Sequence, residues 1–121
     1  MASILIVDDS RTSRRMLADI LVRNGHTVVG EAVDGQEGFE QYDRLKPDVV
    51  TMDITMPVLD GIGSLALIRK LDPNARVVML TAAGQKEKMM EAVKLGAQEF
   101  VTKPLSENAV LDAIARVTQD V

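Results

Sequence analysis

Short apolar, β-branched runs alternate along the chain with longer stretches whose apolar residues recur at helical spacing, which predicts a parallel α/β sheet. The runs cover 4–7, 26–32, 49–52, 77–80 and 100–102. Their apolar character is continuous rather than alternating, so the central strands are expected to be buried on both faces. Between them, Met16, Leu17, Ile20 and Leu21 form one helical stripe that stops at Asn24-Gly25. Asp34 followed by Glu37 reads as a capping box for a second helix through Leu45, which Pro47 prevents from continuing. Leu65, Leu67, Ile68 and Leu71 predict a third helix ending near Asp72-Pro73, and Met89, Met90, Val93 and Leu95 a fourth that stops at Gly96. Ser106 can cap a fifth, with Val110, Leu111, Ile114 and Val117 facing inward. Five strand-helix units use the whole sequence, so one domain over 1–121 is expected, with no linker or internal repeat.

Composition narrows the chemistry. Hydrophobic residues make up 46% and charged residues 26%, enough for a core and unlike a disordered segment. Lys and Arg total 14 against 18 Asp and Glu, a net charge of -4 that opposes an electrostatic grip on nucleic acid or anionic lipid. The absence of Cys excludes disulfides and thiolate metal sites, and His26, the one imidazole, is expected to lie solvated in the turn before the second strand. The amino terminus lacks a basic region followed by a long apolar stretch, so a cytoplasmic location is expected.

In open parallel sheets, ligands bind beyond the carboxyl ends of the strands. The first run ends in Asp8-Asp9, the third in Asp53, the fourth in Thr81 and the fifth in Lys103-Pro104. Taken singly, each has an ordinary explanation: Asp8, Asp9 and Thr81 as caps, Asp53 as the start of a turn toward Pro57, Lys103 as a surface charge. Delivered together to one edge, they describe a shared site. Three clustered carboxylates require raised pKa values or a cation, and oxygen ligands alone favour a hard cation such as Mg²⁺. Magnesium bridges readily to phosphate, so Asp53 becomes a candidate nucleophile for a phosphoryl group, with Lys103 and Thr81 aimed at its oxygens. Asp60-Gly61 reads as turn or cap, and Arg11, Arg14 and Arg15 as a solvated helix face with docking as a secondary role. Core packing is the default for Phe100 and for Met89 and Met90, although methionine also suits adaptable binding surfaces.

These residues resemble a response-regulator receiver domain, most closely the stand-alone chemotaxis receivers of the CheY type. The segments that carry the resemblance are Ile4-Leu5-Ile6-Val7-Asp8-Asp9-Ser10, Met52-Asp53-Ile54-Thr55-Met56-Pro57 with Asp60-Gly61, Leu80-Thr81-Ala82, and Phe100-Val101-Thr102-Lys103-Pro104. The resemblance implies a doubly wound, flavodoxin-like sheet of five parallel strands in the order 2-1-3-4-5, flanked by five helices. It implies that Asp53 accepts a phosphoryl group from a phosphohistidine on a CheA-like sensor kinase. Asp9, Asp53 and the backbone carbonyl of Thr55 would coordinate Mg²⁺ directly, and Asp8 through water. Lys103 would pair with the phosphoryl group, Thr81 would move to hydrogen-bond it, and Phe100 would occupy an aromatic switch position. Thr55 and Ala83 lie where relatives tune acyl-phosphate lifetime, and Lys103-Pro104 would be cis. The output face would comprise the fourth helix, fifth strand and fifth helix.

A receiver of this type is a signalling protein that assists its own phosphorylation and dephosphorylation rather than an enzyme with a separate substrate. With no output domain after Val121, the expected partner is a protein: a flagellar motor switch protein, or a histidine phosphotransfer protein if the chain is a phosphorelay intermediate. A monomer is expected, with neither nucleic acid nor membrane as partner. A phosphatase of the haloacid-dehalogenase class also uses a strand-end Asp with Mg²⁺, but that class has a second Asp two residues on, where this chain has Thr55. A flavin carrier would meet repulsion between phosphate and Asp8-Asp9, and neither a P-loop nor a dinucleotide fingerprint is present.

Overall fold

The apolar runs and helical stripes fold into five strands and five helices in strict alternation: β1 (Ser3–Val7), α1 (Arg11–Arg23), β2 (Thr27–Ala32), α2 (Gly35–Leu45), β3 (Val49–Asp53), α3 (Gly61–Leu71), β4 (Val77–Thr81), α4 (Lys86–Lys94), β5 (Glu99–Thr102) and α5 (Glu107–Val117). The computed structural model describes residues 1–119; Asp120 and Val121, the end of the expected domain, lie outside the described residues. The strands form one parallel sheet in the order β2-β1-β3-β4-β5, as the resemblance implied. The register of β1 against β2 shifts between Ile4 and Leu5, leaving an irregularity at one edge of the sheet. At the other edge lies β5, only four residues long.

Strand pleating sends successive side chains to opposite faces. Leu5, Val7, Val50, Met52, Val77 and Met79 pack with Tyr42 of α2, Ile62, Leu65 and Ile68 of α3, and Ala92 of α4. Ile4, Ile6, Val49, Val78, Leu80 and Val101 pack with Leu17, Ile20 and Leu21 of α1 and with Val110, Ala113, Ile114 and Val117 of α5. Every residue of β3 and β4 is buried, which accounts for their predominantly apolar sequence.

Four helix starts follow the side-chain chemistry. The side chains of Ser10, Asp34, Asp60 and Ser106 accept from the backbone N–H groups of Ser13, Glu37, Gly63 and Ala109. The box read from Asp34 and Glu37 forms in its first half only, because the Glu37 carboxylate accepts from Gln41 at 3.3 Å instead. Five apolar assignments are corrected. Met16, Leu67, Met90 and Val93 are exposed, and the inward stripes are narrower than hydrophobicity suggested: Leu17, Ile20 and Leu21 in α1, Ala92 alone in α4. Leu71 is likewise exposed, and Leu111 half-buried. His26 is half-buried rather than solvated; its Nδ1 accepts from the Ala2 N–H at 3.2 Å, and burial lowers its pKa. Among the described residues, no helix is long and apolar enough to cross a membrane.

Candidate functional site

Two strands run one residue further than their apolar character indicates. Asp53 pairs with Leu80 as the last residue of β3, and Thr81 pairs with Thr102 as the last residue of β4. The ladder needs only backbone groups, so it continues through a polar residue and holds that residue's backbone rigidly at the sheet edge. Asp8, just beyond β1, donates its N–H to Ala32 O at 3.0 Å, so it too is fixed to the sheet. Its side chain is 1% exposed, with Oδ1 accepting from Ser10 N–H at 2.9 Å.

The loop after β3 is shaped by a close approach. Gly61 N–H donates to Ile54 O at 2.7 Å, and a Cβ at Gly61 would collide with the Asp53 carbonyl oxygen. Glycine therefore lets the start of α3 press against the end of β3. Asp60 acts as the cap of α3, as expected, and Asp53 Oδ1 accepts from Ile54 N–H at 3.0 Å. Farther along the loop, Val58 adopts a φ of 69° and is exposed.

One carboxylate oxygen each from Asp8, Asp9 and Asp53 lie within 4.8 Å of one another, with Asp9 exposed and the other two buried. Lys103 reaches in from the end of β5, its Nζ 3.2 Å from Asp8 Oδ2 and 3.3 Å from Asp53 Oδ2. Lys103 N–H donates to Thr81 O at 2.7 Å, which joins the ends of β4 and β5, and the Lys103-Pro104 peptide is cis. The structure thus brings Asp8, Asp9, Asp53, Thr81 and Lys103 to one edge. Thr55 lies on the adjoining loop, exposed. Phe100 stands apart on β5, half-buried against the core face that includes Met79 and Ala92.

Burial pushes the Asp53 carboxyl up to about 6, Asp8 pushes in the same direction, and Lys103 only partly offsets them. Burial also opposes the charge of Lys103, but Asp53 and Asp8 outweigh it and hold the ammonium above its ordinary pKa. One ammonium facing three carboxylates leaves the cluster short of positive charge. The donors are oxygens from carboxylates, with no sulfur or imidazole, so the residues present fit a hard cation such as Mg²⁺.

Two contributors escaped the reading of the sequence. Arg14, expected on a solvated face, is half-buried: its guanidinium donates to Asp8 O at 2.8 Å and to Glu31 at 3.1 Å, fastening α1 to the site. Arg11 and Arg15 are exposed, as that reading had it. Gln85 occupies the cap position of α4, where Thr81 is the cap expected from the sequence, yet its side chain makes no cap bond and instead bonds across two loops. Neither follows from periodicity, since both are polar residues whose partners are distant or in irregular backbone.

A profile of the family described as the response regulator receiver domain matches residues 4–115. The chain is 46% identical over 116 residues to the chemotaxis protein CheY of Thermotoga maritima, covering 96% of this chain and 97% of that protein. It is 48% identical over 111 residues to the CheY of Bacillus subtilis, covering 92% of each. A chain in the crystal structure of the CheX-CheY-BeF3-Mg²⁺ complex from Borrelia burgdorferi superposes with a TM-score of 0.91 at 37% identity, over 96% of this chain and 88% of that one. Sheet order, strand-end acid cluster and sequence agree, and the chain belongs to the response regulator receiver domain family.

Proposed function

We propose that the chain is a phosphoacceptor signalling protein in which Asp53 takes a phosphoryl group from a phosphohistidine on a sensor kinase, in a chemotaxis pathway. The observation that carries this reading is the placement of Asp53, 8% exposed at the end of β3, within a cluster of two further carboxylates and Lys103. In the reaction a carboxylate oxygen of Asp53 forms a bond to phosphorus as the phosphorus–nitrogen bond of the donor breaks, and the departing imidazole takes up a proton. The Ile54 N–H holds Asp53 Oδ1, which fixes the rotamer of the nucleophile. Lys103 supplies a positive charge that can pass from the carboxylates to the phosphoryl oxygens. Asp9, Asp53 and the Thr55 carbonyl would hold Mg²⁺, with Asp8 acting through water; when bound, the ion supplies compensating charge for the carboxylates and the incoming phosphoryl oxygens.

The added charge favours a loop arrangement in which the Thr81 hydroxyl lies nearer the phosphoryl group, and neighbouring packing follows, including Phe100. Phe100 has no hydroxyl, so any such switch works through ring packing alone. The exposed Met90 and Val93 of α4 suit a protein-binding output face. A flagellar motor switch protein is the target proposed, and the CheX bound to the similar Borrelia chain marks other signalling proteins as further partners to test.

Intact mass after incubation with acetyl phosphate and Mg²⁺ tests the reading. Wild type should gain one base-labile phosphoryl group and Asp53→Asn none; full labelling of the variant would refute the nucleophile. If the labelled chain ignored a motor-switch peptide and lost its phosphate only to a histidine phosphotransfer protein, the phosphorelay alternative would replace the motor target.

A further inference from the structure

The turn between β4 and α4 is exposed at Ala82, Ala83 and Gly84, and Gly84 has a φ of +85° with nothing within 4 Å of where a Cβ would stand. Such a segment has few contacts of its own to hold one shape. Gln85 supplies them. Its Oε1 accepts from Ala82 N–H at 2.6 Å, closing the turn, and its Nε2 donates to Thr55 Oγ1 at 2.8 Å, crossing to the loop after β3. The other four helix starts use Asp or Ser to satisfy their own N–H groups, whereas Gln85 makes no such cap bond. Its amide is spent on joining the two loops instead. Those loops follow directly from the two strands that present Asp53 and Thr81.

We propose that Gln85 is a positioning residue, a latch that holds the turn after β4 against Thr55 in the unphosphorylated state and must open when Asp53 is phosphorylated. This rests on the phosphoacceptor reading above. For the Thr81 hydroxyl to move toward a group on Asp53, the peptide that follows it must move as well, and that peptide carries the Ala82 N–H held by Gln85 Oε1. The latch and the phosphoryl group therefore compete for the position of one short segment. Breaking the latch removes a restraint from the resting state only, so the active arrangement becomes more populated and any ligand selective for it binds more tightly. Two neutral, partly exposed hydrogen bonds correspond to a shift of roughly three- to tenfold.

The test uses the full chain with Gln85→Met, which keeps side-chain length and removes both bonds, with Thr55→Val, which removes one, and with the double variant. The first readout is hydrogen exchange of the Ala82 amide by NMR, without metal or phosphoryl donor. Exchange should be slow in wild type, faster by roughly tenfold or more in Gln85→Met, and slow again in Gln85→Glu, whose carboxylate can accept from both groups. The second readout is the affinity for beryllofluoride with Mg²⁺. Gln85→Met should bind roughly three- to tenfold more tightly, Thr55→Val more tightly than wild type by a smaller factor, and the double variant no more tightly than Gln85→Met. Equal exchange in wild type and Gln85→Met would overturn the latch, and so would unchanged or weakened beryllofluoride binding by that variant. If wild type took up no beryllofluoride, the phosphoacceptor reading would fail, and Ala82 exchange would still decide whether the latch exists.

Discussion

Burial and the adjoining Asp8 carboxylate raise Asp53 to about 6 in the folded chain, against 3.8 for the same group in a solvated peptide. The folded state therefore binds a proton more readily than the unfolded state between those two values. As pH rises through this window the unfolded chain loses its proton first, so the stability contributed by Asp53 falls and stays low above about pH 6. The shift corresponds to at most about 3 kcal/mol. Without metal, Asp53→Asn should melt several degrees above wild type at pH 7, and the two melting temperatures should converge as pH falls to about 4. A variant no more stable than wild type at pH 7 would show that Lys103 already compensates the charge fully. The position of Asp53 was legible because a polar residue ending an apolar run falls at a strand end; Asp8, Asp9, Thr81 and Lys103 were legible for the same reason. Arg14 and Gln85 were not, because their bonds reach backbone groups whose location depends on the folded loops.

At the scale of elements, α4 is held differently from its neighbours. Only Ala92 is buried on it, whereas α3 buries Ile62, Leu65 and Ile68 and α5 buries Val110, Ala113, Ile114 and Val117. Little apolar surface leaves water on this helix when it unfolds locally, so it should open at lower free energy than the global transition. Hydrogen exchange followed by mass spectrometry should show the amides of α4 exchanging before those of α3 and α5; equal protection would contradict this ordering. Periodicity read from Met89, Met90, Val93 and Leu95 located the helix, but Met90 and Val93 face outward, while Met89 is half-buried and Leu95 packs partly against the core. Hydrophobicity alone cannot distinguish a large apolar side chain packed inside from one presented outward, and here a small alanine makes the contact with the core. Met16 and Leu67 failed for the same reason.

For the whole molecule, the sheet separates two apolar layers and gathers charge at one end of both. The acidic cluster forms only when the ends of β1 and β3 are paired, so a cation bound there stabilises the folded state over the unfolded one by mass action. At a free concentration about 100 times its Kd, Mg²⁺ should add about 2.7 kcal/mol. Melting in chelator and in millimolar Mg²⁺ should show this as a rise in Tm for wild type that is lost in Asp9→Asn. An equal rise in both would place the ion elsewhere. The sheet order was accessible through the resemblance rather than through periodicity, which yields alternating elements but not their neighbours. Strand neighbours are set by which buried faces meet, and that is a property of the assembled layers.

The open sheet has two borders, and both are poor templates for another chain. At one, the irregular β1–β2 register interrupts the regular spacing of backbone groups. At the other, β5 is four residues long, begins with the charged Glu99 and is followed closely by Pro104, which has no N–H to donate. Brevity, charge, irregularity and proline are the means by which exposed strands resist adding a neighbour. The same border that carries Lys103 into the acidic cluster is therefore also one that disfavours pairing with a strand of another chain.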